Sequence, residues 1–283
     1  LLPTFLILGA PRSGTTHLYH GLRQHPQVFM SDFKEPMFFA YQGNPQPSVV
    51  YDLNDYEALF EAAHPEEARG EASTLYLYSA QAADNIRALI PEARLIAILR
   101  NPVERAFSQY TFQRFLKTEP LETFEEALAA EPRRVQDPIP FHLYRPVGLY
   151  SEQIKRYLER FPQEQVLWLL QDDLASHPEE VFRQIFMHIG VDPDFVPDLH
   201  HRTNASGVPQ HETLFRAIKS AGRAVKRFLP EKLAVALSGT AHETLLERPS
   251  MQPETRAELQ DYFRKDIEAT AALIGRDLSH WLE

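Results

Sequence analysis

The sequence predicts an α/β protein: a central, mainly parallel sheet flanked by helices in three layers, P-loop-like in build and forming one domain over residues 1–283. Three observations carry that expectation. Four short apolar runs, 5–9, 27–31, 94–99 and 165–170, are nearly continuous, the pattern of strands covered on both faces. Segments with apolar residues recurring every three or four positions alternate with them, the pattern of amphipathic helices. Between the first run and the first such segment lies Gly9-Ala-Pro-Arg-Ser-Gly14-Thr-Thr16, a glycine-bearing turn from strand to helix.

Taken in order, helices are expected over 15–24, 55–63, 80–90, 102–117, 121–130, 148–160, 178–189, 213–228 and 254–274. Pro91, Pro162 and Pro193 punctuate their ends or the loops that follow. The stretch 131–147, with Pro132, Pro138, Pro140 and Pro146, reads as a long irregular loop, and 192–212 as another. Long loops in a compact domain are often lids or binding walls. Phe141, His142, Tyr144 and Arg145 are candidates to line an acceptor site in the first of them.

At 283 residues and 43% hydrophobic, the chain can bury a sizeable core. It has no cysteine, which excludes disulfides and thiolate metal sites. The net charge of −10 argues against a general nucleic-acid binder, so any phosphate is held locally. The first apolar run is too short for a membrane span, lacks a basic segment before it and suits a buried strand better than a signal peptide. A cytoplasmic location is the expectation, and the lack of an initial methionine suggests a piece excised from something longer. The segment 213–228, with Arg216, Lys219, Arg223, Lys226 and Arg227, has a basic side that is either a solvated helix face or a surface for an anionic glycan or headgroup.

The turn at 9–16 poses a chemical question. A phosphate-binding loop of the form G-x-x-x-x-G-K-[ST] uses its lysine on the terminal phosphates and its hydroxyl on magnesium. Here Gly9, Gly14 and Thr16 are in register, but Thr15 stands in place of the lysine. Backbone N–H groups and the positive end of a helix still converge on an anion. Arg12 supplies the charge, with a planar fork suited to phosphate or sulfate oxygens. An ordinary turn stiffened by Pro11 is the plainer alternative.

A second constellation, "ILRNPVERAFSQY", places Arg100 at the carboxyl end of the strand 94–99 and Ser108 in the helix after it. Ligands of open α/β sheets collect at the carboxyl ends of strands, so Arg100 is placed to meet the same ligand as the first loop. A cap or a surface ion pair would also explain it.

The two stretches together closely resemble the paired phosphosulfate and 3′-phosphate loops of sulfotransferases that use 3′-phosphoadenosine 5′-phosphosulfate (PAPS). "HPQVFMSDFKEPMFF" at 25–39, "GLYSEQIKRYLERFP" at 148–162, "LLQDDLASHPEEVFRQIFMHIGV" at 169–191 and "IGRDLSHW" at 274–281 extend the likeness over most of the chain. It is greatest to the Golgi carbohydrate and tyrosylprotein branch and its bacterial relatives. The resemblance implies that Arg12, Ser13, Gly14, Thr15 and Thr16 hold the 5′-phosphosulfate, and that Arg100 and Ser108 hold the 3′-phosphate. It implies that Glu35 is the catalytic carboxylate, with Lys34 able to contact the sulfonyl oxygens, and that Arg202, Ser206 and Gly207 in "HHRTNASGVPQ" close over the nucleotide. Ala72 departs from the lysine that some heparan-type enzymes carry there.

The expected reaction is metal-independent, in-line transfer of a sulfonate from PAPS to an acceptor hydroxyl on a carbohydrate, lipid, carrier-bound acyl group or other alcohol, leaving 3′-phosphoadenosine 5′-phosphate (PAP). His17 and His20, in the helix after the loop, are alternative bases. A salt bridge to Lys34 or a helix cap is the plainer role for Glu35. Two rival functions stand beside this one. An ATP- or GTP-dependent kinase would use "VLWLLQDD" as a strand ending in a magnesium-binding aspartate. A non-catalytic nucleotide-binding or interaction module would bind without transfer.

Overall fold

The computed structural model describes residues 1–41, 49–64, 67–135, 140–199, 208–209, 246–247 and 250–283. Five strands, β1 (Phe5–Gly9), β2 (Val28–Met30), β3 (Ala68–Ala72), β4 (Arg94–Leu99) and β5 (Val166–Leu170), form one sheet in the order β2-β3-β1-β4-β5. Every neighbouring pair is parallel. The described helices are α1 (Thr15–Leu22), α2 (Leu53–Ala58), α3 (Ala82–Leu89), α4 (Pro102–Leu116), α5 (Phe124–Arg134), α6 (Tyr150–Leu158), α7 (Gln171–Ser176), α8 (Pro178–Ile189) and α9 (Pro253–Ile274). The four expected strands form to within a residue of their expected ends. The fifth, β3, with the sequence ARGEA, lacks the apolar run that marks the others.

By contacts the chain falls into two compact units: Leu1–Arg105 with Arg145–His201 and Leu259–Glu283, and Ala106–Tyr144 with Arg202–Glu258. The first unit holds the sheet. Phe5, Ile7, Ile96 and Ile98 pack with Leu18, Tyr19 and Leu22 of α1 and with Val181, Phe182, Ile185 and Phe186 of α8. Leu6 and Leu8, which alternate with Phe5 and Ile7, are equally buried, so both faces of β1 are covered. Each such side chain contributes roughly 1.5–3 kcal/mol by leaving water. That double burial is the physical reason these strands read as unbroken apolar runs.

Local signals set several helix ends. Pro178 opens α8, and Gly190, in the left-handed region at φ +79°, closes it. The start of α6 has no side-chain cap of its own; Asp266 of α9 accepts hydrogen bonds from the N–H groups of Tyr150, at 2.7 Å, and Ser151, at 3.1 Å. In the second unit, a reciprocal capping box between Thr123 and Glu126 starts α5 three residues later than expected. That helix runs to Arg134, inside the segment read as irregular loop, with Pro132 within its last turn. Also in this unit, Glu119 is gripped by both Nη atoms of Arg134, at 2.6 and 2.9 Å, and Val208–Pro209 pairs antiparallel with Leu246–Glu247. The helix expected over 213–228 lies outside the described residues.

Candidate active site

The strand order creates the site. The connection leaving β1 leads to β2 on one side of the sheet, while that leaving β4 leads to β5 on the other, so the carboxyl ends of these adjacent strands open a crevice. Arg12 lies in the loop after β1 and Arg100 follows β4. The Arg100 Nη1 donates to the Arg12 carbonyl at 3.1 Å, joining the two loops. The Tyr150 hydroxyl, fully buried, donates to the Arg100 carbonyl at 2.9 Å.

The cradle depends on two glycines. Gly14, at φ +107°, precedes the first residue of α1, and a Cβ there would stand 3.1 Å from Leu174 Cδ2. Gly9, at φ +139°, passes so near the turn after β3 that a Cβ would lie 2.5 Å from the Thr74 carbonyl oxygen. The first N–H groups of α1, which no helix can satisfy internally, point out of this turn. Ser13 Oγ is fully buried beside the Tyr150 hydroxyl. The start of a helix beside two arginines fits an anion.

Arg12 carries the electrostatic signature. Burial, aided by the charges of Arg100 and Arg105, holds its guanidinium down to about 10, and Glu35 partly offsets them. Three cations gathered at one crevice repel one another until a polyanion arrives.

Glu35 reaches the same place from the loop after β2. Its N–H donates to the Ala72 carbonyl at the end of β3, at 3.0 Å. Its Oε1 accepts from Lys34 Nζ at 2.9 Å and its Oε2 from Thr74 Oγ1 at 3.0 Å. The ion pair with Lys34 is therefore present, on a carboxylate that also faces the arginines. Arg12, Glu35 and Met37 are three of the four non-glycine residues with positive φ among those described, at +66°, +62° and +54°. Such strain costs of order 1–3 kcal/mol per residue and collects at working sites.

The structure thus brings Arg12, Ser13, Gly14, Thr15, Thr16, Lys34, Glu35 and Arg100 to the carboxyl end of the sheet. Ser108 is buried on α4, in the second compact unit. Arg202, Ser206 and Gly207 lie outside the described residues. His17 packs near Phe182, with ring centroids 6.1 Å apart, and burial lowers its pKa; His20 is exposed and lowered by partial burial, Arg23 and Lys34. The sequence reading missed Arg105, Thr74, Tyr150 and Glu71. Arg105 stood in plain view within "RNPVER", but nothing local showed that it is wholly buried and facing Arg12.

The aspartates of "QDDL" are committed elsewhere. Asp172 Oδ2 accepts from Trp281 Nε1 at 2.8 Å and meets His280 Nε2 at 3.1 Å, while Asp173 pairs with Arg276 at 2.9 Å. They clasp the C-terminal segment to α7, which removes the best feature of a kinase. Among the described residues, no cluster of His, Asp and Glu could hold a metal, and no helix is long and apolar enough to cross a membrane.

The fold and the crevice define a P-loop-like α/β protein whose cradle, lacking the loop lysine, is built around arginine. Comparison with known proteins then gives the family. A family model described as "Sulfotransferase domain" matches residues 2–270, and the chain belongs to the PAPS-dependent sulfotransferase family. A solved sulfotransferase from Alicyclobacillus acidocaldarius is 32% identical and superimposes with a TM-score of 0.80, covering 100% of both chains. Carbohydrate sulfotransferase 15 of Mus musculus is 29% identical over 68% of this chain and 44% of its own length. The bifunctional heparan sulfate N-deacetylase/N-sulfotransferase 3 of Homo sapiens is 26% identical over 99% of this chain and 31% of its own. The chain therefore spans less than half the length of these curated relatives.

Proposed function

We propose that residues 1–283 act as one sulfotransferase domain that moves the sulfonate of PAPS to an acceptor hydroxyl. The observation that carries this reading is the convergence of Arg12, Arg100 and Glu35 on the carboxyl ends of β1, β4 and β3. Ser13, Gly14, Thr15 and Thr16, with the start of α1, receive the 5′-phosphosulfate. Arg100 and Ser108 receive the 3′-phosphate, and Arg202, Ser206 and Gly207 are assigned to close over the nucleotide.

The acceptor oxygen attacks sulfur as the bond from sulfur to the 5′-phosphate oxygen breaks, and PAP departs with that electron pair. Arg12 and the loop N–H groups meet the charge growing on the phosphate oxygen. The acceptor proton passes to Glu35, whose carboxylate Thr74 orients. Lys34 exchanges its contact with Glu35 for the sulfonyl oxygens. No step calls for a metal. The curated relatives named for carbohydrate and heparan sulfate make a sugar the favoured carrier of the acceptor group.

Calorimetry with PAP, against ATP with magnesium, tests this reading. Metal-independent preference for PAP is expected; equal or tighter binding of magnesium ATP would overturn it.

A further inference from the structure

Glu71, in the middle of the sheet, has no role in the reaction described above. It lies in β3, is wholly buried and has no cation within its hydrogen-bonded shell. Three hydroxyls surround it instead. Tyr56 of α2 donates to Oε1 at 3.2 Å, Ser73 donates to Oε2 at 2.9 Å, and the Tyr76 hydroxyl also hydrogen-bonds to the carboxylate. Once ionised, above about pH 7, the carboxylate offers four lone-pair directions and can take all three.

The direction of those bonds matters. A hydroxyl has one proton, so each proton given to Glu71 leaves the oxygen free to accept. Ser73 Oγ accepts from the Met37 N–H at 2.9 Å, and the Tyr76 oxygen accepts from the Phe39 N–H at 3.5 Å. These are the backbone groups just beyond Glu35. The same segment is fastened at its start by Glu35 N–H to the Ala72 carbonyl, one residue from Glu71. Glu35 and Met37 hold left-handed backbone angles that side chains resist, so the segment keeps its shape only if its surroundings impose it.

We propose that Glu71 is a positioning residue for the sulfonate-transfer base: by accepting from Ser73 and Tyr76 it sets both hydroxyls to receive the Met37 and Phe39 N–H groups, and so fixes the strained turn that aims Glu35 at the acceptor. The inference rests on Glu35 being that base. A glutamine at 71 would present one acceptor and one donor. Where the amide donates, the neighbouring hydroxyl must turn its proton elsewhere, and its hold on the Met37 or Phe39 N–H is compromised. The ionisable groups facing Glu71 are Tyr56 from α2, Tyr76 from the turn after β3 and Glu35 from the loop after β2, and burial raises its pKa.

The test compares E71Q and S73A with the wild-type chain, with E35Q as reference. At pH 8, where Glu71 is ionised, PAP release from PAPS is followed with heparan sulfate as acceptor and with water alone, PAP affinity by calorimetry, and amide hydrogen exchange at Met37 and Phe39. Both variants are expected to lose at least tenfold in kcat while KM for PAPS and PAP affinity stay within twofold. Exchange at Met37 should quicken at least tenfold in each, and at Phe39 in E71Q. S73A gives the exchange rate at Met37 with its acceptor gone. E71D, which keeps the acid but withdraws it by one methylene, answers the question by the same exchange reading if E71Q does not fold. Unchanged exchange at Met37 in E71Q overturns the proposal. So does a rate loss matched by an equal loss of PAP affinity, which is general damage. If E35Q alone retains the wild-type rate, the base assignment fails and the aiming role of Glu71 falls with it; quickened exchange at Met37 would then show Glu71 as a backbone support only.

Discussion

The side chain of Arg100 donates to the main-chain carbonyl of Arg12 across 3.1 Å, so the loop after β4 holds the loop after β1 in place. The same guanidinium is assigned to the 3′-phosphate, which makes it both a tether and a ligand.

R100A should therefore weaken PAP binding about 10- to 150-fold, from the roughly 1.5–3 kcal/mol of a hydrogen bond to a charged group. Calorimetry reads the change directly. An affinity within twofold of wild type would show that the 3′-phosphate lies elsewhere.

Arg12 is the residue proposed to face the bond that breaks. R12A is expected to lower kcat by about 10²–10³, corresponding to the roughly 2.7–4 kcal/mol that a preorganised donor supplies to a developing anion. R12K should recover only part of it, because an ammonium cannot reproduce the bidentate fork. Single-turnover transfer of labelled sulfonate separates this loss from weaker binding.

Glu35 should behave differently from both arginines. E35Q removes proton acceptance while retaining hydrogen-bonding groups for Lys34 and Thr74, so kcat is expected to fall about 10²–10⁴ with PAP affinity nearly unchanged. A parallel drop in H17A or H20A with E35Q still active would transfer the role to a histidine.

Stability should fall as pH rises from about 4.5 to about 7, through the contribution of Glu71. Burial raises this carboxyl from 4.5 to about 7. Across that window the native state keeps a proton that the unfolded chain has lost, so raising the pH favours unfolding, and above about 7 the contribution is constant. The total is on the order of 3 kcal/mol, from roughly 1.4 kcal/mol per pKa unit. Thermal melts at pH 5, 6 and 7 should decline in wild type relative to E71Q. Parallel pH profiles in the two proteins would argue against a raised Glu71.

G9A should destabilise the fold by about 1–3 kcal/mol from backbone strain alone, and by more if the clash at the Thr74 carbonyl cannot relax. That is a fall in Tm of about 2–4 °C for each kcal/mol in chains near this size. Differential scanning calorimetry checks it, and an unchanged Tm would mean the β1 turn has room to move.

Much of this protein is written locally. β1, β4 and β5 are legible because strands covered on both faces must be apolar throughout, and GAPRSGTT is legible because its glycines and arginine suit an anion at a helix start. β3 escaped because its sequence, ARGEA, is polar by composition, although Gly70, Glu71 and Ala72 are buried. The hydroxyls that make a buried Glu71 tolerable come from Tyr56, Ser73 and Tyr76, two of them beyond the strand's immediate end, and no window centred on the strand reveals the set. Asp172 and Asp173 resemble metal ligands in one dimension, and only the arrival of Arg276, His280 and Trp281 a hundred residues later shows them as a clasp.

By itself, then, the sequence determined the strand-loop-helix cradle, its arginine and the class of anion that suits it, since these depend on neighbours along the chain. Tertiary structure decided the strand order that sets Arg12 beside Arg100, the insertion of β3 between β2 and β1, and the burial that concentrates three arginines and Glu35 at one crevice. Those are outcomes of pairing and desolvation between segments distant in sequence, where free energy depends on what each group meets after folding and not on what precedes it.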